Sequence, residues 1–383
     1  MVNSYLFQYL LIWNAVEGIA LGKLPISPKK LAIIAGVAIL LLYLYFVGFW
    51  EVVQIILALD PRVAILAILI DVLCISLFTL SWKVLLSPPG MGFLRSFEVV
   101  LVSIFGDMMI PTGSVSGEIV RITMTTKRSK LSIGEATASV VLHRLILAVT
   151  FCGVLGLGII LLAANGAMQL SSFYSFIAIG VSTIAVSLLG VYLAMNSRKF
   201  ERHLCGLISR TAPLIKRLKR DYDAERSKER AVSALCAFQG SITGARRRAL
   251  LLSAAIATVR YFLVALIPYL MFLSIGYPIS YWAVLLVSIF VSMVQLMPVG
   301  IPGLVGVIEV SMTGFFMGFG VPAEIAASVT ILSRLVMFWF ELLVSGLTTS
   351  YVGFKVALDE GKGKGGGCGG SAGAPLAGAP VSA

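Results

Sequence analysis

The chain is poor in charge. Asp, Glu, Lys and Arg make up 13% of it, against 58% hydrophobic residues and a mean hydropathy of +0.98. Soluble domains carry roughly twice that charged fraction, so composition excludes one and indicates an all-α polytopic membrane protein. Histidine occurs twice in 383 residues, and five cysteines (Cys74, Cys152, Cys205, Cys236, Cys368) are scattered without a CxxC. Neither a zinc site nor a disulfide framework is supported. No Ser/His/Asp, HExxH, P-loop or GxGxxG arrangement stands in a credible context, so no catalytic residue, metal or cofactor is expected.

Net charge is +12, and most of it sits in one place. Residues 198–248 hold 14 Lys+Arg against five acids, a net +9. That concentration makes nucleic acid a poor partner. It describes a cytoplasmic loop, 196–249, lying beside anionic lipid headgroups under the positive-inside rule.

Apolar stretches long enough to cross a bilayer occur at 31–49, 63–86, 134–163, 173–195, 250–273 and 324–351, giving about six full spans. Residues 4–22 are broken by Gln8, Asn14 and Glu17 and lack a basic leader, so an interfacial segment (1–30) is expected there, with an extra span as the alternative. Lys23, Lys29 and Lys30 place the start of the first span in the cytoplasm, and with it the N-terminus. The Gly/Ala/Pro-rich end, 353–383, reads as a disordered cytoplasmic tail.

Two stretches interrupt this pattern with proline and glycine. Met108 to Glu118 contains Pro111, Gly113 and Gly117; Leu296 to Glu309 contains Pro298, Gly300, Pro302, Gly303 and Gly306. An unpaired backbone group in hydrocarbon costs several kcal/mol, roughly 2–7, so irregular chain at depth must lie against protein or a wet cavity. Residues 97–126 have basic residues at both ends (Lys83 and Arg95 before, Arg121, Lys127, Arg128 and Lys130 after), which predicts a re-entrant hairpin from the cytoplasm with Asp107 and Glu118 near its tip. Residues 281–320 form either a hairpin dipping from outside or two short crossing helices.

The two regions are related. GEATASVVLHR (134–144) and AEIAASVTILSR (323–334) each begin with an acid, pass an A-S-V triplet and end in arginine. Each follows a Pro/Gly break ending in a glutamate, and the Glu118–Arg144 and Glu309–Arg334 separations are 26 and 25 residues. The charge bias runs the two copies in opposite directions. This predicts an inverted-topology repeat, 31–163 and 250–352, joined by 164–249, the architecture of secondary transporters.

Ionisable groups at depth are Asp71, Asp107, Glu118, Arg144, Arg260, Glu309, Arg334 and Glu341. Each costs about 2.5–3.5 kcal/mol to insert, so pairing or a wet cavity is required. Glu118 with Arg144 and Glu309 with Arg334 are natural pairs. They read equally as structural locks or as ligands for an anionic headgroup, which arginine grips through its planar fork. Arg260 has no local acid and is the better single candidate for substrate binding. His143 reads as a packed, hydrogen-bonded residue.

The sequence resembles the transmembrane region of lysylphosphatidylglycerol synthases, a flippase-like family, over roughly residues 31–352. The resemblance rests on P-x-x-x-x-x-G-E-x-x-R (Pro111, Gly117, Glu118, Arg121), the helix ending at Arg144, and P-x-x-x-P-G-x-x-G-x-x-E from Pro298 to Glu309. It implies a domain that moves aminoacylated phospholipid or related lipid-linked molecules between leaflets. Thr112, Ser114 and Ser116 replace glycines common in that family, and His143 stands where an acid commonly precedes the arginine. No aminoacyl-transferase domain follows Tyr351, so a stand-alone membrane part is expected, with a separate lipid-modifying enzyme and a second copy of the chain left open as partners.

A lipid translocator is the leading expectation. The alternatives are a secondary transporter of a small anion, a scaffold or regulatory subunit docking through 196–249, and an integral-membrane transferase. The last is disfavoured because loops 165–172 and 274–280 carry no acids.

Overall fold

The computed structural model describes residues 60–86, 90–110, 114–164, 247–295 and 300–365, with a few isolated positions elsewhere. The expected spans at 31–49 and 173–195, the segment 1–30, the basic loop and the end of the tail lie outside these. Every regular element among the described residues is helical.

Helix α1 (Pro61–Lys83) starts where its sequence says it should: Asp60 accepts the Arg62 N–H at 2.9 Å, and Pro61 occupies the first turn, where its missing N–H costs nothing. Helices α2 (Phe93–Met109) and α3 (Val115–Arg128) form an antiparallel hairpin, closed at its base by the Arg128–Glu98 ion pair at 2.7 Å. Helix α4 (Ile133–Ala164) begins with a capping box in which Ser132 and Glu135 satisfy each other's backbone N–H groups. Helix α5 (Arg247–Ile275) contains Pro268. Helices α6 (Tyr281–Val294) and α7 (Val307–Gly318) make the second hairpin, with a 3₁₀ turn at Pro302–Leu304 between them and Phe290 against Phe315 at 5.4 Å. Helix α8 (Ala323–Arg334) passes through a π-helical stretch, Leu335–Phe340, into α9 (Glu341–Gly365).

Among the described residues, four helical stretches are long and apolar enough to cross a membrane: Pro61–Lys83, Ile133–Leu162, Arg247–Ile275 and Ala323–Phe354. All four were expected. The hairpin helices hold 17, 14, 14 and 12 residues. At about 1.5 Å per residue they fall short of the roughly 30 Å hydrocarbon core.

Helices α1 and α5 pack closely along each other, and α2 of the first hairpin touches the 3₁₀ turn of the second. Ser81 Oγ donates to the Ser253 carbonyl at 3.0 Å while Ser253 Oγ donates to the Ser81 carbonyl at 2.9 Å, which requires close backbones. The largest buried cluster joins Ala67 and Ile70 of α1 with Ile267, Met271 and Phe272 of α5, Val284 and Val287 of α6, Ile308 and Phe316 of α7, and Val329 and Leu332 of α8. The α2–α3 hairpin packs on α9, α4 and α1, with Gly346 of α9 admitting the Phe105 ring.

Three expectations are corrected. Gly117 is not part of the first break: it lies inside α3, and Ser114 takes the left-handed conformation at φ 69°. Gly117 is needed for proximity, since a Cβ there would meet the Ser103 carbonyl at 2.6 Å and overlap the Asp107 carboxylate. Arg121 is not a surface charge like Lys127 and Arg128, being 6% exposed. Finally, α9 runs to Gly365, beyond the expected boundary at 353, because Lys355 to Glu360 contains no helix breaker.

Candidate functional site

The two breaks face one cavity of about 290 Å³. Asp107, Met108 and Ser114 reach it from the first hairpin, and Gln295, Gly303 and Ile308 from the second. Asp71 of α1, Arg260 of α5, Arg334 of α8 and Glu341 of α9 complete its polar wall.

Local chemistry explains how each group is held. Asp107 accepts the Gly117 N–H at 2.6 Å and the Ser116 hydroxyl at 2.9 Å, so a carboxylate from α2 caps the N-terminus of α3. In the second break, Gly300, Gly303 and Gly306 all adopt positive φ (82°, 59° and 86°), conformations glycine alone takes readily. Glu309 accepts the Gly306 N–H at 2.6 Å through one oxygen and the Arg334 Nε–H at 2.8 Å through the other. Arg334 also donates Nη2 to the Gly303 carbonyl at 3.0 Å and lies 4.1 Å from the Phe338 ring centroid. At Gly303 and Gly306 the irregular backbone is thus satisfied by protein side chains.

Arg260 differs. Its guanidinium lies over the Phe78 ring at 5.1 Å and shares the cavity wall with Asp71 and Glu341, yet forms no ion pair among the described residues. Among the described residues its Nε is buried without an acceptor, Asp71 Oδ2 is buried without a donor, and Ser333 Oγ is buried without a partner. Pro268 lies in the same wall and withdraws the N–H that would bond the Val264 carbonyl.

Of the residues expected to bind substrate, Arg260, Arg334, Asp107 and Asp71 therefore line one cavity. Glu309 stands behind Arg334. Glu118 and Arg144 pair with each other outside the cavity wall, with side chains 21% and 40% exposed. Of the expected break residues, Gly303 lines the cavity and Pro302 opens the 3₁₀ turn; Pro111, Gly113 and Pro298 lie outside the described residues.

Sequence reasoning missed a second buried cation. Arg121 Nη1 meets His143 Nδ1 at 3.2 Å and lies 5.3 Å from the Phe78 ring and 5.6 Å from that of Trp82. His143 is wholly buried with Nε2 unpartnered. The signal was available: Gly117, Arg121 and Thr125 recur at intervals of four, one buried face of α3. The π-helical stretch that separates Arg334 from Glu341 had no such signal, although such stretches often accompany functional sites.

Residues 32–345 match the model of the lysylphosphatidylglycerol synthase transmembrane region. The chain belongs to that family. Among curated members it is similar to a UPF0104 membrane protein of Pyrococcus horikoshii, 26% identical over 333 residues, covering 83% of this chain and 96% of the relative. It is also similar to UPF0104 membrane proteins of Methanothermobacter thermautotrophicus (25% over 329 residues; 85% and 96%) and Methanocaldococcus jannaschii (22% over 354 residues; 89% and 99%). This family member is thus a multi-pass helical membrane protein, and the matched region is the transmembrane one, not the synthase's transferase domain.

Proposed function

We propose that this protein is a flippase-like translocator that moves a phospholipid or lipid-linked molecule between leaflets without covalent chemistry. The observation that carries this reading is Arg260: a guanidinium in a cavity between two helix breaks, with a buried Nε that finds no acceptor among the described residues. A planar donor fork in a low-dielectric wall suits the phosphate of an anionic headgroup. Asp71, Asp107, Arg334 and Glu309 shape that site; the Glu118–Arg144 pair holds the first hairpin to α4.

In this reading the two hairpins are inverted copies that enter the cell membrane from opposite sides, and the chain alternates access about the cavity. Both termini are cytoplasmic, and the basic loop 196–249 lies on anionic headgroups. Partnership with a lipid-modifying enzyme or with a second copy would add substrate supply or assembly to the same cycle. Transport of a small anion is the second reading, since the same guanidinium would hold a free anion.

The test is leaflet exchange of fluorescent anionic and cationic lipids by purified protein in liposomes, comparing wild type with Arg260→Ala. Exchange that Arg260→Ala removes, in variant protein that remains folded, supports translocation. Wild-type protein that exchanges no lipid in the panel sinks it.

A further inference from the structure

A serine or threonine inside a helix that cannot reach water ordinarily donates its hydroxyl to a carbonyl one turn back. The buried hydroxyls of Thr79, Ser139, Ser288 and Thr330 do so in α1, α4, α6 and α8. Ser333 of α8 does not. It is 1% exposed, and its Oγ has no partner among the described residues. Thr125 shares that property but lies outside the cavity wall, whereas Ser333 lines it. A buried polar atom left alone is costly, so a cavity wall that keeps one points to an occupant.

Arg260 Nε is a second such atom in the same wall, and the Phe78 ring at 5.1 Å steadies its guanidinium. Leu332, next to Ser333, belongs to the buried cluster against which Leu263 and Val264 of α5 pack, one turn from Arg260. Both donors thus stand beside one contact region of α5 and α8. Other donors of the wall are committed. Ser288 and Ser292 donate to α6 carbonyls, Tyr261 to the Leu147 carbonyl, and Arg334 to Glu309 and the Gly303 carbonyl. The third unpartnered atom, Asp71 Oδ2, is an acceptor, so it serves a donor on the occupant and not its anionic group. At about 290 Å³ the cavity matches the lower end of small-molecule sites, which is room for one headgroup-sized occupant.

We propose that Ser333 is a substrate-binding residue whose hydroxyl donates to the same phosphate-type anion that takes the Arg260 Nε–H. This rests on the translocator reading and adds the second donor to its site. A phosphate group presents at least two unesterified oxygens, so one accepts from Arg260 and another from Ser333. The guanidinium supplies charge, and the hydroxyl fixes which way the anion turns. A neutral donor does this without burying a further cation at bilayer depth, where each charge is expensive. The π-helical stretch begins two residues beyond Ser333, so the helix carrying the hydroxyl changes its winding beside the site.

Binding titrations of the purified full chain test this. Short-chain phosphatidylglycerol is the probe in one arm and inorganic phosphate in the other, which separates a lipid headgroup from a free anion. Leaflet exchange by the same protein in liposomes is measured alongside. Ser333→Ala and Ser333→Cys should weaken binding of the probe that wild type holds by about tenfold or more, the scale of a hydrogen bond to a charged group. Their thermal midpoints without ligand should stay at or above that of wild type, because the hydroxyl they remove has no protein partner. Either variant, folded and binding as tightly as wild type, overturns the inference. Ligand-free midpoints that fall in both variants also overturn it, since they mark a structural hydroxyl. Wild-type protein that exchanges lipid yet binds neither probe overturns the two-donor site and leaves translocation standing. Wild-type protein that neither binds nor exchanges removes the translocator reading and the inference with it.

Discussion

Arg334 and Glu309 stand 25 residues apart in sequence and 2.8 Å apart in space, both more than nine-tenths buried. The pair joins α8 to the first turn of α7, and its carboxylate simultaneously caps that turn through the Gly306 N–H. Removing one partner leaves a buried charge uncompensated, which costs about 3–5 kcal/mol. Arg334→Ala and Glu309→Ala should therefore lower the thermal unfolding midpoint in detergent sharply. Exchanging both residues for apolar ones of similar volume should recover much of that loss.

Glu118 and Arg144 repeat the relationship in the first hairpin but under more exposure, with Arg144 at 40%. Ion pairs in contact with solvent contribute roughly 0–1 kcal/mol. Glu118→Gln should therefore shift the same midpoint far less than Glu309→Gln. Equal shifts would mean that the two pairs are not energetically distinct.

Gly117 sits where α3 touches α2. Its Cβ would meet the Asp107 carboxylate, which would have to leave its cap, and the Ser103 carbonyl at 2.6 Å, which cannot yield without moving a helix. Overpacking of this kind costs typically about 1–3 kcal/mol. Gly117→Ala should reduce stability within that range and loosen the Asp107 cap, read as faster hydrogen exchange at the α3 N-terminus. Gly153→Ala, where a Cβ meets nothing within 4 Å, is the matched control and should be close to neutral.

Arg121 is held by ring faces and an imidazole, without an ion pair among the described residues. A planar guanidinium stacks between Phe78 and Trp82; an ammonium on a flexible stem does not. Arg121→Lys should cost about 1–2 kcal/mol, the scale of a desolvated cation–π contact. Unchanged Trp82 fluorescence and stability in that variant would show that the rings do not hold the charge.

Much of this molecule was legible in its residues. The four described spans followed from apolar runs, and the two hairpins from Pro/Gly breaks that are too irregular for hydrocarbon. The glutamate–arginine pairs followed from the 25- and 26-residue intervals. What could not be read is where tertiary contact overrides local signal. Arg121 sits among Lys127 and Arg128 and carries the same charge, but its helix face turns it toward Phe78 and Trp82. Gly117 resembles a turn glycine, and only the proximity of α2 shows why it is small. Asp71, Arg260 and Glu341 lie on three separate helices, and nothing in their spacing places them in one cavity.

The crossed hydroxyls of Ser81 and Ser253 act as a rivet between α1 and α5. Asp71 and Arg260 ride on those two helices, so the paired hydroxyls set the register in which the acid and the guanidinium enter the cavity wall.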